Sequence, residues 1–108
     1  MRLFILILLV SNFANAQVKD DISVVQYTAG FASEMSLDAF NDYNIQTLYI
    51  EKHGDIFKKE NIKFLPTIIL YNDGEEVITI ESGISMKLPE NTQKTIQQHI
   101  DKILETRF

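Results

Sequence analysis

The chain has 108 residues, 45% of them apolar, with ten Lys and Arg against fifteen Asp and Glu, for a net charge of −5 at pH 7. That size supports one modest core and no second domain, and the acidic balance argues against nucleic-acid binding, which draws its affinity from clustered cations. The chain contains no cysteine, which excludes thiol redox chemistry, disulfide stapling and cysteine-ligated zinc.

The first sixteen residues form a separate unit. Arg2 precedes an unbroken apolar run over 3–10, and Asn12-Phe13-Ala14-Asn15-Ala16 ends in a small-x-small pattern before Gln17. This is the layout of a secretory signal peptide, and the run is shorter than the roughly 20 apolar residues that span a bilayer. The expectation is a leader over 1–16 cleaved after Ala16, a domain over 17–108 in the periplasm or secreted, and no stable membrane insertion once the leader is gone. A retained anchor and a buried N-terminal helix are the other readings of the segment.

Within the domain, 22–27 is rich in β-branched and aromatic residues and predicts a first strand. Leu37, Ala39, Phe40 and Tyr43 fall on a stripe that predicts a short helix with Ser36 as its N-cap. A second strand follows over 45–50, then one or two helical turns over 55–61 carrying Ile56 and Phe57. The intervening helical crossover makes the two strands parallel.

Residues 67–71 form a nearly all-apolar run, as expected of a strand buried on both faces. Asn72-Asp73-Gly74 is a hairpin signal, because Asp-Gly supplies the positive φ angles of a tight turn. In the returning strand, 76–81, Val77 and Ile80 are out of phase by one, which implies a bulge or burial on both sides. The last element, 92–107, sets Ile96, Ile100, Ile103 and Leu104 on one face of an amphipathic helix.

The order strand, helix, strand, short helix, strand, hairpin strand, helix resembles the thioredoxin-like superfamily, and local motifs carry the resemblance further. Leu65-Pro66-Thr67 matches the family's cis-proline loop, while Gly74 and Gly83 match its hairpin glycine and the glycine after the last strand. Residues 27–35 lie on the family's active-site segment: Tyr27, Ala29 and Phe31 match in character. Ala32 and Met35 stand where the family has its Cys-x-x-Cys thiols, and Gln26 stands where it has a buried acid that assists proton transfer. The resemblance covers about 22–104. It implies a single α/β domain with a mixed sheet of about four strands flanked by helices and a cis Pro66, and the missing thiols and acid imply that the family's redox activity is lost.

From this follows an expected polypeptide-binding module rather than an enzyme, with Phe31, Ala32, Met35, Leu65, Pro66 and Thr67 as binding residues and no cofactor. Phe31, Met35, Leu65 and Pro66 would form its exposed apolar patch, and each has an ordinary packing role as its alternative, Met being a common gap-filler. A structural or assembly subunit of a cell-envelope or virus-encoded complex is the competing reading, and a non-thiol enzyme the third. Glu51 and His53 lack further ligands nearby, and His99 lies on the closing helix, so neither histidine is assigned a metal or general-base role. Glu75, Glu76 and Glu81 guard a hairpin edge. No phosphate-binding glycine loop or serine nucleophile elbow is present.

Overall fold

The computed structural model describes residues 21–106, so the leader expected over 1–16 lies outside the described residues. Four strands, β1 (Ile22–Thr28), β2 (Asn44–Tyr49), β3 (Thr67–Asn72) and β4 (Glu75–Glu81), make one sheet in the order β2-β1-β3-β4. The β1–β2 pair is parallel and the other two pairs are antiparallel. Two helices, α1 (Ile50–Lys59) and α2 (Thr92–Glu105), complete a single α/β domain.

Both central strands are covered on both sides, which is why β3 is almost wholly apolar. On one face Ile22, Val24, Ile68 and Leu70 meet Ile96 and Ile100 of α2 together with Leu37 and Phe40. On the other, Tyr27, Leu48 and Ile69 meet Phe57 of α1, whose ring lies edge-on to Tyr27 at 5.3 Å.

The helix expected around 37–43 is reduced to one 3-10 turn, Asp38–Phe40. Leu37, Phe40 and Tyr43 recur at strict intervals of three, the repeat of a 3-10 helix, and Leu37 and Phe40 are buried while Ala39 is exposed. The bonds follow that repeat: Phe40 N–H donates to Leu37 C=O at 2.9 Å and Tyr43 N–H to Phe40 C=O at 2.9 Å. The N-cap of this turn is Leu37 and not the expected Ser36, and it has no side-chain cap bond; Ser36 Oγ, one residue earlier, accepts from Asp38 N–H at 3.2 Å.

The helix expected over 55–61 begins earlier, at Ile50, with a kink at His53 (φ −131°, ψ 37°). Tyr49 is the last residue of β2 with a partner, Thr28, and β1 ends there. Beyond it the ladder offers no bonds, and the backbone satisfies itself by coiling. Glu51 in the first turn and Lys58 and Lys59 in the last complement the helix dipole.

The hairpin turn has positive φ at both central residues, Asp73 (56°) and Gly74 (84°), as a type I′ turn requires. The register then slips between Leu70 and Tyr71, so that Leu70 faces Ile78 while Tyr71 faces Glu76. Val77 is the extra residue of a bulge and is exposed. Gly74 has open space where a Cβ would sit, so its cost on substitution is conformational. Gly74→Ala is expected to destabilise the domain by about 1 kcal/mol, read as a lower urea midpoint; an unchanged midpoint would show that the turn tolerates a side chain.

Candidate functional site at the end of the sheet

β1 and β2 run parallel and finish together, and β3 starts at the same end, since Tyr27 pairs with Thr67. Three loops therefore converge there: 29–37 after β1, 64–66 before β3, and 82–88 after β4.

The Leu65–Pro66 peptide bond is cis. Pro66 is buried, as is Thr67, whose hydroxyl donates to Phe64 C=O at 2.6 Å. Ser82 N–H donates to Pro66 C=O at 3.1 Å and ties the third loop to the proline. That loop turns on two positive φ angles, Gly83 (77°) and Met86 (62°). Neither main-chain group of Leu65 pairs with another main-chain group among the described residues.

Loop 29–37 has no regular structure after the turn at its start, where Ala32 N–H donates to Ala29 C=O at 3.0 Å. Side chains of neighbouring elements hold it instead. The fully buried Gln26 accepts from Met35 N–H at 2.7 Å and donates to Met35 C=O at 2.8 Å. Thr28 Oγ1 donates to Ser33 C=O at 3.1 Å, Glu51 accepts from Gly30 N–H at 2.9 Å, and Tyr49 donates to Glu34 at 2.7 Å. The hydrogen bond to Glu34 raises the Tyr49 hydroxyl above the ordinary tyrosine value.

The four-residue apolar patch expected from the sequence is not displayed as such. Phe31 is 73% exposed, but Met35 packs on the core shared with α2, and Leu65 packs on the core beneath α1. Pinning both backbone groups of Met35 to Gln26 accompanies the inward placement of that side chain. Ala32 is half-buried. A second exposed apolar side chain at this end of the sheet was missed in the sequence: Ile84, 93% exposed on the loop tied to Pro66. Its signal was an isoleucine standing alone in a Ser/Gly-rich turn directly after the matched Gly83.

A second polar cluster lies on the α1 side. The Tyr27 and Tyr71 hydroxyls are 2.7 Å apart, and Tyr71 donates to Glu60 at 3.3 Å. Burial pushes Tyr27 up to about 12 and Tyr71 higher still, so both stay neutral at ordinary pH. Among the described residues no group of three His, Cys, Asp or Glu could hold a metal, and no helix is long and apolar enough to cross a membrane. His99 Nδ1 lies 2.9 Å from Thr95 C=O one turn earlier in α2.

No protein-family model matches the chain, and no curated protein matches it. Solved thioredoxins share its architecture. Fasciola hepatica thioredoxin is 16% identical over 83% of this chain and 90% of that one, with a TM-score of 0.62. The reduced Schistosoma mansoni thioredoxin pre-protein is 20% identical over 83% and 88%, at 0.59. A mutant thioredoxin from Halobacterium salinarum is 14% identical over 58% of this chain and 63% of that one, at 0.53. The protein thus has the thioredoxin fold and lacks the Cys-x-x-Cys motif.

Proposed function

We propose that this thioredoxin-fold chain is an exported, redox-inactive module that holds an extended polypeptide across the Pro66 loop, between Phe31 and Ile84. The observation that carries the reading is the exposure of these two large apolar side chains on loops at the end of the sheet where the Pro66 loop also lies. Water gains by their burial, each being worth about 1.5–3 kcal/mol when fully covered. The unpaired main-chain groups of Leu65 supply the other half of such a contact, because an extended peptide is held by backbone bonds and selected by side-chain contacts. No thiolate is available for bond exchange, and this surface is therefore assigned to binding and not to thiol chemistry. Export to the periplasm or the outside of the cell is supported by the leader-like pattern of residues 1–16.

The test is a peptide-array measurement with the full chain expressed through its own leader, beside Phe31→Ser, Ile84→Ser and the double variant, each checked for fold by circular dichroism. Each single change is expected to weaken the bound peptides about tenfold or more, since 1.4 kcal/mol is a factor of ten. Equal affinities for the folded double variant would remove the surface from consideration. A wild-type protein that binds no peptide would favour the assembly-subunit reading.

A further inference from the structure

We propose that Gln26 is the positioning residue of this surface: its carboxamide, by donating to one backbone group of Met35 and accepting from the other, sets the shape of the loop that presents Phe31. The functional half of this inference rests on the binding reading above, and the structural half does not.

Gln26 is fully buried on β1, yet its strongest bonds go to a residue nine positions away in a loop without secondary structure. Its Oε1 takes the Met35 N–H at 2.7 Å and its Nε2 gives to the Met35 C=O at 2.8 Å, with a longer contact from Nε2 to Thr47 Oγ1 at 3.4 Å. The side chain thus does for Met35 what a neighbouring strand would do, satisfying a donor and an acceptor at once. Such a loop has no helical bonds to fall back on, and a buried backbone group left unpaired is costly.

The residue type follows from this arithmetic. A carboxylate accepts only: at position 26 it could keep the bond from Met35 N–H, but it would set its other oxygen against Met35 C=O, and the cost of burying that charge with one acceptor bond would loosen the loop. A protonated carboxyl has one donor and one acceptor in nearly the same places and can replace the amide. Burial raises the carboxyl above its ordinary value of about 4.3, which brings the change between the two forms into a workable range. The titratable groups on the elements of this face are Glu34 and Asp38 on the loop and its 3-10 turn, Tyr43 beyond it, Tyr49 on β2, and Lys94, His99, Asp101, Lys102 and Glu105 on α2. All are shared with the wild type and cancel in a comparison of the two proteins.

The experiment follows the Met35 backbone amide by NMR hydrogen exchange in the full chain and in Gln26→Glu, across pH 4 to 8, with peptide affinity measured on the same samples. After correction for the intrinsic pH dependence of exchange, protection is expected to be constant in the wild type. In Gln26→Glu it is expected to be wild-type-like at low pH and to fall at least tenfold as the carboxyl ionises, reversibly, with affinity falling alongside. A Met35 amide that stays equally protected in Gln26→Glu throughout would overturn the inference even where peptides bind. A wild type that binds no peptide would remove the function proposed above and leave the Met35 result standing. Should the variant fail to fold at either pH, the Gln26 carboxamide protons of the wild type decide the matter: slow exchange supports the clamp, and exchange at the rate of a free glutamine removes it.

Discussion

Phe40→Ala is expected to cost the domain about 3–5 kcal/mol, the largest loss of any single substitution considered for this protein. Phe40 is fully buried, and with Leu37 it joins the cluster of Ile22, Val24, Ile68, Leu70, Ile96 and Ile100. It belongs to a single 3-10 turn, so little local hydrogen bonding would hold the segment once the ring is gone. The cavity would open between sheet and α2, where surrounding side chains belong to regular elements and relax only in part. Domains of this kind keep about 5–15 kcal/mol in total, and this one has no disulfide to constrain its unfolded chain. Urea denaturation of the two proteins checks it. A midpoint within error of the wild type would mean that the turn is not packed as described.

The second large effect is alkaline. Tyr27 titrates near 10 when unfolded, and burial lifts it to about 12 in the fold. Between those values the unfolded chain has lost a proton that the folded chain keeps, so unfolding is favoured as pH rises. The stability attached to Tyr27 is therefore fully present below pH 10 and is lost as pH climbs to about 12. Two pH units correspond to a loss on the order of 2–3 kcal/mol. Tyr71 shifts in the same direction, by burial first and by its contact with Tyr27, and steepens the trend. The measurement is denaturant stability from pH 8 to 11.5 for the wild type and Tyr27→Phe, whose difference cancels the lysines that titrate in the same range. The wild type should lose more stability than the variant, and parallel curves would show that the Tyr27 hydroxyl is not held in its neutral form.

The candidate site was legible in part. Pro66 and Gly83 stood out because a proline before an apolar run and a glycine after the last strand are local signals that need no knowledge of partners. Phe31 was identified by its place after β1. The grouping of Phe31 with Met35 and Leu65 went astray because chain position does not tell which way a loop side chain turns: Met35 and Leu65 are drawn into cores on opposite faces of the sheet. Ile84 escaped because a lone isoleucine in a turn has no periodicity to announce its exposure. Gln26, assigned the place of an acid, turned out to clamp Met35, a contact between residues nine apart that no local pattern encodes.

What the sequence determined by itself was the order and kind of the elements. Alternation, β-branched runs, the Asp73-Gly74 turn and the Ile96/Ile100 stripe are local, and each encodes its element through backbone preference and the burial of one face. The absence of cysteine settled, with no structure needed, that thiol exchange is closed to this chain. The tertiary structure decided how long the elements could run and which side chains meet water. β2 yields to a helix at Ile50 because its neighbour ends, the stripe from Leu37 to Tyr43 winds as a 3-10 turn, and Phe31 and Ile84 stay exposed while Met35 and Leu65 pack inward. These outcomes depend on which strands finish together and which core has room. Those are properties of the assembled sheet, and no window of sequence contains them.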